Sequence, residues 1–109
     1  MCRISIALAS PSTEPVLLKF LHQRLGLSLL TARGHLAKGP QGLFYSELLY
    51  GNDHPQRDAE IRDIIAFFDA RQVPLVFFES DEQADPKEGE PLEQEVLINQ
   101  LEAARGRYA

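Results

Sequence analysis

The sequence predicts an α+β domain of order β-α-α-β-α-β, with a three-stranded antiparallel sheet covered on one face by helices and a further helix at the C-terminus. Three observations predict it. Residues 3–9 alternate, Ile4, Ile6 and Leu8 on one face against Ser5, Ala7 and Ala9 on the other, which is the period of a strand. Apolar residues then recur at helical spacing in three separate segments, and Val73 to Phe78 forms a late apolar run of strand length. The expected divisions are the α+β domain over 1–79, an acidic linker over 80–90 and the C-terminal helix over 91–109.

Ser10-Pro11-Ser12-Thr13 ends the first strand. Pro15 suits the first turn of a helix with Thr13 or Glu14 as its cap, and Leu17, Phe20, Leu21 and Leu25 make its stripe until Gly26 stops it. Lys19, His22 and Gln23 fall on the opposite face. Ser28 is placed to cap a second helix whose Leu29, Ala32 and Leu36 point inward, and Lys38-Gly39-Pro40 closes it. Gly34 within that helix costs about 1 kcal/mol relative to alanine, so close packing is expected there. Residues 43–48 read as a short strand. Gly51-Asn52-Asp53-His54-Pro55 then starts a third helix, with Asp53 as cap, Ile61, Ile64, Ile65 and Phe68 as the stripe, and Asp58 four residues before Arg62. Pro74 puts the start of the last strand at an edge or outside the ladder. Leu92, Val96, Leu97, Leu101 and Ala104 share one side of the C-terminal helix.

Of the two pairs Val76/Phe78 and Leu75/Phe77, one must point away from the helices, and an apolar face left open at this chain length marks a contact surface. Either the C-terminal helix folds back over it or a second copy of the chain covers it. Val76, Phe78, Val96, Leu97 and Leu101 are the residues expected to serve such self-association.

The 109 residues carry a formal charge of −5, but the charge is unevenly spread. Residues 79–95 hold eight acids against Lys87 alone, whereas residues 16–38 hold Lys19, Arg24, Arg33 and Lys38 and no acid. The acidic stretch, broken by Pro86, Gly89 and Pro91, has the composition of a solvated linker, or of an electrostatic lid over the basic patch. No apolar run approaches the roughly 20 residues that cross a bilayer, and the stretch after Met1-Cys2-Arg3 is too short for a targeting segment. A cytoplasmic protein with no membrane association is expected. The single cysteine, Cys2, has no intrachain partner for a disulfide.

Lys19 to Lys38 reads KFLHQRLGLSLLTARGHLAK and is followed, after a strand and a helix, by VPLVFFE. In the Gly26-Leu27-Ser28-Leu29 turn and the Ala32-Arg33 pair this resembles the C-terminal domain of the bacterial ribosomal stalk protein, over residues 3–79. The same fold class includes ClpS, an adaptor that delivers substrates to a protease. The stalk resemblance implies a basic face on the first two helices that docks protein factors. Lys19 and Arg33 keep the family's charge there, while His22 stands where an arginine is usual and Leu30 where a lysine is usual. The stalk's dimerisation region and hinge are missing, so an adaptor-like relative is expected and not a stalk protein. Ala9-Ser10-Pro11-Ser12 replaces the Asn-Asp-Asp loop with which ClpS holds a substrate's amine, so that recognition is not expected.

Chemistry is less legible. Ser46, Glu47, Asp53 and His54 form the most reactive-looking cluster, but no nucleophile-elbow signature accompanies them. His22, His35 and His54 lack the close spacing of a zinc motif, and Lys38-Gly39-Pro40-Gln41-Gly42 lacks the strand before it and the lysine-serine end of a phosphate loop. Four cations without interleaved exposed aromatics make a weak nucleic-acid footprint. The leading expectation is a non-enzymatic protein-interaction or adaptor module, with no cofactor or metal, that binds an acidic protein surface through Lys19, His22, Gln23, Arg33 and Lys38. A self-associating homodimer and a small enzyme with a site near His54 are the alternatives.

Overall fold

In the computed structural model, which describes residues 2–108 and the side chains through Arg105, the chain forms four helices against one antiparallel sheet. The strands are β1 (Cys2–Leu8), β2 (Tyr45–Leu48), β3 (Leu75–Asp81) and β4 (Glu90–Leu92), in the order β2-β1-β3-β4. The helices are α1 (Pro15–Leu25), α2 (Leu29–Ala37), α3 (His54–Ala70) and α4 (Gln94–Tyr108). Among the described residues no helix is long and apolar enough to cross a membrane.

The α+β class stands, but the sheet has four strands where three were expected. The fourth comes from the acidic stretch. β3 runs on through Asp81, a single 3-10 turn over Pro86–Glu88 follows, and Glu90, Pro91 and Leu92 pair with Glu79, Phe78 and Phe77. Eight acids in seventeen residues look like a solvated linker by composition, yet only Leu92 has to reach the core for this segment to be tied down as an edge strand. Leu92 packs against the core while Glu90 and Pro91 stay exposed. A short, charged, proline-bearing edge is also a poor template for pairing with another chain.

Residues directly opposite in antiparallel strands share a face. Ile4, Ile6 and Leu8 face Glu79, Phe77 and Leu75, and Ile6 faces Tyr45 on its other side. This face meets the helices. Leu17 and Leu21 of α1, Ala32 and Leu36 of α2, and Ile61, Ile64 and Phe68 of α3 are buried against it, together with Leu97 and Leu101 of α4. Burying each of the larger side chains contributes about 2 kcal/mol. α4 therefore joins the helical layer beside α3 and does not fold over the Val76/Phe78 face. Leu97 and Leu101 are wholly buried in their own chain's core and cannot serve self-association, whereas Val96 lies on the exposed side.

Two local expectations also change. Asp53 makes no capping hydrogen bond from its side chain. Gly34, expected to allow a close approach, has open space where a Cβ would stand. The close approach is at Gly42, where a Cβ would overlap the His35 carbonyl.

Candidate functional site

The site begins with the chain reversal between α1 and α2. Gly26 takes a left-handed conformation with φ 75° and donates its backbone N–H to the His22 carbonyl, ending α1. The reversal brings the Leu27 carbonyl to 2.8 Å from His22 Nδ1, so the ring donates back across the turn. Ser28 then caps α2, its Oγ accepting from the Thr31 backbone N–H at 3.0 Å. Because Leu17, Leu21, Ala32 and Leu36 point into the core, the opposite sides of the two helices face outward together.

Between them lies a groove of about 620 Å³ lined by Pro15, Leu18, Lys19, His22, Gln23, Leu29, Leu30 and Arg33. Four of the five residues expected to bind a partner, Lys19, His22, Gln23 and Arg33, thus meet in one place. Lys38 does not. It lines a separate cavity with Pro40, Gln41, Leu43, Phe78, Pro86 and Lys87. Sequence periodicity missed the apolar half of the groove. Leu29, assigned to the inward stripe, is 53% exposed, and Leu30 is 83% exposed. Both stand in the first turn of α2, where the chain has just reversed and lies beside Leu18 of α1 instead of over the sheet. Leu30, two residues before Ala32, falls on the side of the helix away from the Ala32 and Leu36 stripe, which is a signal the sequence held; Leu29, three residues before Ala32, falls on that stripe by spacing and carries no such signal.

The charges around the groove are unevenly engaged. Arg24 is held by Asp63 of α3 at 2.8 Å, fastening α1 to α3, and Phe20 stacks on Phe67 with centroids 3.9 Å apart. Among the described residues, Lys19 and Arg33 have no ion-pair partner. The acidic stretch does not provide one: it is committed to the β3–β4 hairpin, and none of its described acids pairs with either cation. The expected electrostatic lid is not formed.

The cluster around His54 is dispersed by the fold. Ser46 lies on the open face of the sheet, its Oγ 3.0 Å from Ser5 Oγ, and Arg3 Nη1 donates to its carbonyl. His54 is buried at the start of α3, where Nδ1 accepts the Tyr50 backbone N–H at 3.0 Å. Glu47 is 3.8 Å from Arg57. Ser46 and His54 point to different faces and form no catalytic pair. Burial lowers the His54 pKa, with the Asp58 carboxylate opposing that shift. A cleft of about 560 Å³ adjoins it, lined by His54, Pro55, Asp58, Ala59, Arg62, Asp63 and Arg105. Its cations are already paired, Arg62 with Asp58 at 2.6 Å and Glu102 at 2.9 Å, and Arg105 with Asp58 at 3.7 Å. Burial, helped by the Glu79 charge, pushes the Cys2 thiol up to about 11, so it is not a nucleophile at neutral pH.

No protein-family model, curated protein or solved structure matches this chain.

Proposed function

We propose that the chain is a non-catalytic, cytoplasmic protein-interaction module whose α1–α2 groove docks a partner segment carrying both acidic and apolar side chains. The observation that carries this reading is the exposure of Leu29 and Leu30 between Lys19 and Arg33. Exposing two leucines wastes apolar surface unless something covers them, and cations in the same lining that have no ion-pair partner among the described residues favour an occupant with carboxylates. The resemblance to the stalk domain supports the same face. Leu30, where that family usually has a lysine, makes this version more apolar and less dependent on charge. Among the described residues, two cations without ion-pair partners and with no exposed aromatic in the groove lining do not favour nucleic acid.

Calorimetric titration with a synthetic amphipathic peptide of leucine and glutamate tests this reading. The Lys19→Glu/Arg33→Glu variant is expected to bind at least tenfold more weakly, and Leu30→Asp, which alters an almost fully exposed side chain, to do the same with the fold intact. Equal affinity in the wild type and both variants would remove the groove as the docking site.

A further inference from the structure

The strand register segregates charge between the two sides of the sheet. Glu47, Glu79, Asp81 and Glu90 share the side of Ile4 and Ile6, so none of the four strands places an acid on the other side. That other side carries Ala7, Val76 and Phe78 at its centre. Two turns wall it. Gly39–Gln41 packs against β1, and Pro86–Glu88 packs against β3 so closely that a Cβ at Gly89 would stand 3.1 Å from the Phe78 Cβ. Between the turns lies the cavity of about 550 Å³ that holds Lys38. Phe78, Leu43, Pro40 and Pro86 give it an apolar lining, and Lys38 and Lys87 line it as well.

The chain has three lysines, and two of them converge here from positions 49 residues apart. Lys87 is the sole cation of the acidic stretch. Among the described residues neither lysine has a carboxylate partner, and Asp85 turns its carboxylate to the Lys87 backbone N–H at 2.9 Å instead. The volume falls in the range of small-molecule sites, which combine an apolar lining with a few placed polar groups. We propose that this cavity binds a small organic anion, its aromatic or alkyl body on Phe78 between Pro40 and Pro86 and its anionic group held by Lys38 and Lys87. A second copy is disfavoured, because both copies would bring the same cations to the contact. A long polyanion would also have to run past the β3–β4 connection, which carries Glu82, Asp85 and Glu88 outside the cavity lining, and is disfavoured.

The site shares no residue with the α1–α2 groove, so the two proposals fail separately. The probe is 8-anilinonaphthalene-1-sulfonate, followed by fluorescence and by backbone amide shifts. Saturable binding is expected, with shifts confined to residues 38–43 and 76–89, at least tenfold loss in Lys38→Ala/Lys87→Ala and no loss in Lys19→Glu/Arg33→Glu. Shifts centred on Leu29 and Leu30, or undiminished affinity in the lysine variant with its melting temperature unchanged, would overturn the proposal. Inorganic phosphate is the control for charge alone, and equal affinity for it would remove the role of the apolar body. A Phe78→Leu variant, which keeps an apolar floor, is expected to bind the aromatic probe more weakly without unfolding; unchanged probe affinity in that variant would count against the placement on Phe78.

Discussion

Ser28, Gly34 and Gly42 each isolate one physical effect around the second helix. Ser28→Ala removes the hydrogen bond to the Thr31 amide and is expected to cost about 1 kcal/mol. Gly34→Ala goes the other way: the position is helical, exposed and open, so the lost backbone freedom of the unfolded chain should stabilise the protein by up to about 1 kcal/mol. Gly42→Ala should cost about 3 kcal/mol, because the added carbon meets the His35 backbone and not a flexible side chain. Urea midpoints of the three variants check the order, and a destabilised Gly34→Ala would mean that the groove's second helix is packed differently. Ser28 was legible as a cap from its place before an apolar run. Gly34 and Gly42 could not be told apart by sequence, since the need for glycine depended on which backbone came near it.

Two histidines give the fold a pH dependence. Burial lowers the pKa of both His35 and His54, helped by Lys38 at the first and opposed by Asp58 at the second. Their contribution to stability is therefore fully present above the unfolded value of about 6.5 and is lost as pH falls towards the folded values, because the unfolded chain takes up protons first. The urea midpoint should fall between pH 7.5 and 5.5, and less steeply in His54→Gln. An identical slope in that variant would deny His54 a part in it.

At the scale of elements, β1, α1, α2 and α3 were readable because each carries its own period and punctuation. The β3–β4 hairpin and the seat of α4 were not. Composition made residues 80–90 look solvated, and the stripe Leu97 and Leu101 showed that α4 buries a face without showing which surface receives it. The receiving surface is the helix side of the sheet, where both side chains are buried beside α3 and the Arg62–Glu102 pair closes the contact. Leu101→Ala should accordingly cost about 3 kcal/mol of global stability. A change within about 0.5 kcal/mol would be the behaviour of a detached tail and would contradict the packing of α4.

For the whole molecule, the net charge of −5 describes neither the α1–α2 groove nor the Lys38/Lys87 cavity. Many of the acids lie on the β3–β4 edge or in ion pairs along α3 and α4, while Lys19 and Arg33 in one place and Lys38 and Lys87 in another stay without carboxylate partners among the described residues. Four of the five partner-binding residues expected from sequence meet in the groove because charge clustering and helical spacing agree there. Leu29 was hidden because its spacing puts it on the inward stripe, and its exposure depends on where the helix pair sits. With Leu97 and Leu101 consumed by the core, light scattering at high protein concentration should show a monomer, and a stable dimer would return Val76, Phe78 and Val96 to self-association.

Amide shift mapping with the leucine-glutamate peptide, repeated with a leucine-lysine peptide, tests the proposed docking role of the α1–α2 groove most directly. Wild type should bind the acidic peptide with shifts confined to Pro15–Gln23 and Leu29–Arg33, and Lys19→Glu/Arg33→Glu should exchange that preference for the basic peptide at the same residues. Shifts spread over the surface, or a preference that does not reverse, would contradict the assignment of this groove as the protein's docking site.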